Sequence, residues 1–201
     1  ACAPYRRSSL CDHHLSYMNA GKTNTTDNLL LEVCMAAKHE GDSIRGNHDK
    51  YKQSNKDSQL CTELARSFAD IGDIVRGRDL YLGDNRKDRE QRKKLDENLK
   101  KIFGNIYKDV TTNGKKGAQN YYKDGSGDFF KLREDWWEEN RETVWKALTC
   151  DVKSGSHYFR RTCRGVQNPT QTRDNCRCIN YDVPTYFDYV PQYLRWFEEW
   201  A

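Results

Sequence analysis

Long apolar runs are missing from this 201-residue chain, and that absence sets the first constraint on what it can be. No stretch approaches the roughly 20 apolar residues that a bilayer-spanning helix needs. The opening "ACAPYRRSSLC" has no apolar segment after a basic start, so it does not read as a secretory signal. The closing "QYLRWFEEWA" carries no helix stop, so the chain is expected to be an excerpt whose secretion signal and membrane anchor lie outside it. Catalytic signatures are missing too: there is no G-x-S-x-G, P-loop, dinucleotide glycine fingerprint or H-E-x-x-H. "DGSG" at 124–127 reads as a turn, and His13 and His14 are adjacent rather than one helical turn apart. Glu138, Glu139, Glu198 and Glu199 read as solvated helix faces beside tryptophans, with nothing to set two of them across a substrate. No enzymatic activity, cofactor or metal is expected.

Apolar material is also scarce. Hydrophobic residues make up 36% of the chain against 32% charged, and the mean hydropathy is -1.05. Such polarity would suit a disordered chain, but 12% aromatic residues with 5 Trp oppose that reading. The core is therefore expected to consist of large rings plus cross-links. The net charge of +4 permits an acidic partner without identifying one.

Cysteine is what the chain has in quantity. Cys2, Cys11, Cys34, Cys61, Cys150, Cys163, Cys176 and Cys178 form an even set, which fits a disulfide framework in an oxidising compartment. A zinc site from His157, Cys163, Cys176 and Cys178 is the alternative, weakened by the lack of a C-x2-C knuckle, and reduced core thiols are a third.

Periodicity divides the chain near residue 60. Residues 1–26 read as irregular, with a glycosylation sequon at Asn24-Thr25-Thr26. Asp27 is expected to cap a helix that stops at Gly41, and 42–58 reads as a polar loop. A Cys34–Cys61 bridge could pin this unit to the next helix. That helix, to about Leu80, contains "LARSFADIGDIVRG", where Leu64, Phe68, Ile71 and Val75 share one face. Arg66, Asp70, Asp73 and Arg76 fall on other faces, as Arg66–Asp70 and Asp73–Arg76 pairs. Gly72 would let another helix approach closely. A long amphipathic helix follows over 84–112, started by Asp84 or Asn85. After a loop at 113–127, a helix capped by Asp128 turns Phe129, Leu132, Trp136, Val144 and Leu148 inward, with Trp137, Arg141 and Trp145 flanking. A disulfide-tied excursion over 151–187 leads to a last helix from Pro191, with Tyr193, Trp196, Phe197 and Trp200 as aromatic knobs. The expected organisation is an irregular N-terminal subdomain, 1–59, and a helical-bundle subdomain, 60–201.

Binding is the better functional prospect. Basic residues cluster at Arg86, Lys87, Arg89, Arg92, Lys93 and Lys94, at Lys115 and Lys116, and at Arg160, Arg161 and Arg164. Such clusters attract sulfated sugars and nucleic acid alike, in a salt-dependent way. Asp88, Glu90, Asp96 and Glu97 interleave with the first, which also reads as a solvated face of intrahelical pairs.

Five segments, "ACAPYRRSSLCD", "LLLEVCMAAKHEG", "CTELARSFADIGDIVRGRDLYLG", "LREDWWEENRETVWKALTC" and "DYVPQYLRWFEEWA", occur in this order. Together they resemble a Duffy-binding-like domain of the alpha class, from the variant erythrocyte membrane protein family of Plasmodium falciparum. The resemblance implies a mainly α adhesin domain: a disulfide-bonded, irregular first subdomain, a helical bundle, and a third subdomain beyond this chain. It implies display on the extracellular face of the infected erythrocyte membrane, within a larger membrane-anchored protein. Implied partners are a host red-cell or endothelial receptor, a sulfated glycosaminoglycan or blood-group sugar, antibodies, and a neighbouring cysteine-rich interdomain region, with no nucleic acid. Rosetting and heparin binding belong to the same expectation. The four cysteines after "ADIGDI", Cys150, Cys163, Cys176 and Cys178, look like the common alpha subtypes. The alternative function is a non-binding, antigenically variable spacer that orients the interdomain region.

Overall fold

The computed structural model describes residues 2–23, 25–112, 117–165 and 167–200, without the His14 side chain. Asn24 of the sequon and the basic pair Lys115 and Lys116 lie outside the described residues. Helices carry the fold: α1 (Tyr5–Ser8), α2 (Thr26–Ser54), α3 (Leu60–Arg76), α4 (Arg86–Thr112), α5 (Ala118–Tyr121), α6 (Phe130–Leu148) and α7 (Gln192–Trp200). Short 3-10 turns stand at His13–Tyr17 and Phe187–Tyr189. Among the described residues there is no strand, only two isolated bridges, Ser156 with Asn175 and Cys163 with Thr170.

The largest correction concerns α2. Its cap is Thr25, whose side chain accepts from the Asn28 N–H, and not Asp27. The helix runs 29 residues, through Gly41 and most of the stretch read as a loop. Gly41 is not a stop signal. A Cβ there would run into the Leu148 carbonyl oxygen at the end of α6, so the glycine permits close approach. Beyond Gly41 the helix leaves the core, which is why its sequence turns polar.

Helix α3 is surrounded. It packs against α2, α6, α7 and the Phe187–Tyr189 turn, and Leu64, Phe68, Ile71 and Val75 are buried. Trp137 of α6 lies on Gly72, where a Cβ would come within 2.8 Å of its ring. Phe68 touches Trp137 and Trp145 with ring centroids 5.1 and 5.2 Å apart. The helix ends at Gly77, not near Leu80: Gly77 takes φ 73, and the Arg78 N–H returns to the Asp73 carbonyl at 2.8 Å. Leu29, Val33, Ala36 and Ala37 of α2 lie in the same core as these residues.

Helix α4 begins with a side-chain cap, the Asp88 N–H donating to Asn85 at 3.0 Å. Leu95, Leu99, Ile102, Phe103 and Ile106 are its buried stripe. Asp128 does not cap α6. Asp124 accepts the Phe129 N–H instead, because Phe129 adopts φ 55 and turns the chain back, while Asp128 pairs with Lys100 at 2.8 Å. The row Trp137, Arg141 and Trp145 is also buried, with the two tryptophans less exposed than Trp136. On α7 only Trp196 is a buried knob, and Tyr193, Phe197 and Trp200 are exposed. The reason is that Gln192, Arg195 and Glu199 occupy the inward face, at i, i+3 and i+7, and fill it with polar contacts.

The cysteine framework is half built. Cys61 bonds Cys176 and Cys163 bonds Cys178, while Cys2, Cys11, Cys34 and Cys150 carry free thiols. The Cys34–Cys61 bridge is therefore wrong: the partner of Cys61 comes from the excursion after α6, which closes over the first turn of α3. These bonds also consume all three cysteines of the zinc alternative. Among the described residues no group of His, Cys, Asp and Glu could hold a metal.

Candidate functional site

Two populations of charge meet different fates. The first is buried between α3, the N-terminal segment and the C-terminal helix. Asp70 receives Arg6 at 2.7 Å, Arg195 at 2.8 Å and the Gln192 amide at 3.1 Å. Asp73 joins Arg195 and Arg76, the latter at 2.9 Å. Arg7 binds Asp79, and Arg92 of α4 binds Asp12, with its second bond at 2.7 Å. Arg141 grips Asp188 with two bonds of 2.8 Å, and the Trp137 indole N–H donates to the same carboxylate at 2.9 Å. Arg133 donates to the Val75 and Ile74 carbonyls at 2.6 and 3.1 Å, capping the end of α3. Matched partners offset much of the cost of burying these ions, although Arg76 Nη1, Arg133 Nη1 and Arg195 Nε lack a hydrogen-bond partner among the described residues.

This network sets the ionisation of its members. Burial alone would raise the Asp70 carboxyl, but Arg6, Arg195 and Arg7 together hold it below the ordinary value. Burial wins at Asp73 and pushes it up to about 6, against the pull of Arg195 and Arg76. The expected Arg66–Asp70 pair is not formed. Arg66 turns to Glu63 at 3.1 Å, since Asp70 points into the core. The Asp73–Arg76 pair forms, but buried rather than on an outer face. The sequence reasoning missed Arg6, Arg7, Asp188 and Arg195 as network members. The available signal was their position inside the same segments that carry aromatic and glycine residues.

The second population is exposed. On α4, Arg86 pairs with Glu90 at 3.0 Å and Lys93 approaches Glu97 at 3.9 Å. Lys94 stands 4.9 Å over the Tyr17 ring, Lys87 is exposed, and Arg92 has left the surface for Asp12. Arg160, Arg161 and Arg164 are exposed and form no ion pair among the described residues; Arg160 lies 5.1 Å over Phe159. Their loop is fixed by the Cys163–Cys178 bond and, through Cys176, to Cys61 at the start of α3. Lys93 instead lines a groove with Gly77 and Asp79, at the far end of α3. Sixteen residues of helix separate Cys61 from Gly77, about 24 Å at 1.5 Å per residue. The two basic segments are thus anchored near opposite ends of α3.

Comparison with known proteins gives this arrangement a family. Residues 1–195 match the model of the Duffy binding domain. A Duffy receptor of Plasmodium vivax (strain Salvador I) is 28% identical over 211 residues, covering the whole chain and 15% of that protein. The gamma form of the Plasmodium knowlesi Duffy receptor is 23% identical, over the same shares of the two chains. Among solved structures, the NTS-DBL1(alpha-1) domain of Plasmodium falciparum membrane protein 1 from the varO strain is 43% identical, with a TM-score of 0.79. That match covers the whole of this chain and 43% of the solved one. A DBLbeta domain of the same protein family, bound to ICAM-1, is 30% identical with a TM-score of 0.68, over the whole of this chain and 44% of that one. The chain thus spans less than half the length of these relatives. No described helix is long and apolar enough to cross a membrane. The five sequence segments, the helical fold and the match over residues 1–195 agree: the chain belongs to the Duffy binding domain family.

Proposed function

We propose that this domain binds a host receptor or an acidic, heparan sulfate-like glycan from the outer face of the infected erythrocyte, as one part of a larger membrane-anchored protein. One observation carries the reading. Arg160, Arg161 and Arg164 are exposed and, among the described residues, without a carboxylate partner, on a loop that disulfides hold in place. Uncompensated positive charge on a rigid support loses little entropy on binding and attracts anionic chains at long range. The α4 cluster is the weaker candidate, because Glu90 and Glu97 already compensate it. Binding of the purified domain to heparin and to red cells, followed across salt concentrations, tests the proposal. Binding should fall with salt and drop when Arg160, Arg161 and Arg164 become Ser; a triple variant that binds normally overturns it.

A second reading has its own observation. The basic segments are anchored near opposite ends of α3, about 24 Å of helix, which suits a spacer that orients a neighbouring interdomain region better than one continuous binding face. In that case deletion of the domain weakens binding by its neighbour, and the isolated domain binds no cells at any salt concentration.

A further inference from the structure

Away from the arginine loop, three elements enclose an open cleft of about 690 Å³. One wall is the solvent-directed half of α2, with Arg45, His48, Asp49 and Lys52; the second is the turn into α3, with Ser58 and Gln59; the third is 153–157. The third wall is built, not draped. The Ser156 N–H donates to the Asp174 carbonyl at 2.7 Å, and its own carbonyl accepts from the Cys176 N–H at 3.1 Å. Cys176 is bonded to Cys61, one residue past the cleft lining at Leu60. Gly46 forms part of the floor, and a Cβ placed on it would meet nothing within 4 Å.

The charge lining this cleft is unbalanced. Lys52 and Lys153 are exposed and have no ion pair among the described residues, while Arg45 is held by Asp42 at 2.8 Å. Asp49 is the one carboxylate among the described lining residues. The His157 Nδ1 lies 3.3 Å from the Thr172 carbonyl. A carbonyl can only accept, so Nδ1 carries the proton and Nε2 is left for another partner. His48 Nε2 is 3.2 Å from the Ser58 hydroxyl. At the rim, Gln59 starts α3 without a side-chain cap, which leaves the positive end of a 17-residue helix beside the two lysines.

We infer that this cleft is an anion-binding site, sized for one or two sugar units bearing a sulfate ester or carboxylate, with Lys52 and Lys153 as its charged contacts. The inference rests on the adhesin reading above but places a contact where no basic run marks the sequence. Lys52 and Lys153 are 101 positions apart, and only the fold brings them together.

The test is calorimetric titration of the purified chain with a sulfated hexasaccharide and, separately, a sialylated trisaccharide. The two arms identify which anion is recognised. Lys52→Glu combined with Lys153→Glu should weaken binding of the preferred sugar about tenfold or more. Gly46→Phe, whose Cβ would meet nothing within 4 Å, should do the same while leaving the thermal midpoint in place. Lys108→Glu, exposed on α4 and outside the named basic clusters, should change affinity less than about twofold. Unchanged affinity in the double lysine variant, or no binding of either sugar by the wild-type chain, overturns the inference. Red-cell binding that depends on Arg160, Arg161 and Arg164 but ignores the lysine pair would sink the cleft while leaving the adhesin proposal standing. Sugar binding at the cleft without red-cell binding would do the reverse.

Discussion

Helices α3 and α4 are built from the same residue types and use them in opposite ways. Both alternate apolar positions with acidic and basic residues at helical spacing. In α4 the charged residues face water and pair along the helix, as Arg86 with Glu90. In α3, Asp70, Asp73 and Arg76 are buried and reach across to residues more than a hundred positions away. An exposed pair trades one hydrated state for another and gains tenths of a kcal/mol. A buried ion has no water to return to, so losing one partner leaves the other stranded. The ionic network of α3 therefore joins the chain's two ends, through Arg6 and Glu199, to the bundle core. The exposed Arg86–Glu90 and Lys93–Glu97 pairs hold together only α4 itself, while Arg92 and Lys100 tie the helix to Asp12 and Asp128.

The comparison can be broken most forcefully at Asp70. Asp70→Ala removes the shared partner of Arg6 and Arg195 and should cost about 3–5 kcal/mol in a denaturant melt. A loss below about 1 kcal/mol would mean that the network is solvated in the folded state. The pH dependence sharpens the same point. Asp70 titrates lower folded than unfolded, so in that range the unfolded chain binds more protons and stability rises with pH. Its contribution is present above about pH 4, the unfolded value, and is lost as pH falls further. Asp73, pushed up to about 6, has the opposite sign: between about 4 and 6 its contribution falls as pH rises. Asp73→Asn should therefore cost less at neutral pH than Asp70→Asn, measured by thermal midpoint across pH.

Glycines give the next contrast. Gly72→Leu on α3 drives a side chain into the Trp137 ring and should cost about 1–3 kcal/mol or more. Gly104→Ala on α4 would place its Cβ 3.5 Å from the Phe129 ring, an ordinary contact. That variant should raise stability by up to about 1 kcal/mol, through helix propensity. Equal effects at both sites would erase the distinction between a crossing and an open face. The smallest expected change is at Arg86→Ala, within about 0.5 kcal/mol of wild type in the same melt.

Periodicity made α3, α4 and α6 legible because each has a 3.6-residue apolar stripe that must be buried. It misjudged α2, where Gly41 carries the same letter whether it ends a helix or lets Leu148 approach. It also misjudged the surroundings of α3. A carboxylate off the apolar stripe normally faces water, and nothing in the neighbouring sequence announces that Arg6 and Arg195 will arrive from the two ends. The arginine loop was visible because its residues are neighbours in sequence. The lysine cleft was not, since one wall lies in a segment read as a loop and the other lies 101 positions further on.

By itself, the sequence determined that this is a helical, ring-cored, cysteine-bearing domain with the ordered segments of its family, because those properties depend on local spacing and residue type. The tertiary structure decided which charges are buried, which thiols bond and which basic residues share a surface. Those outcomes depend on desolvation and on partners distant in the chain, and neither is written in the spacing of neighbouring residues.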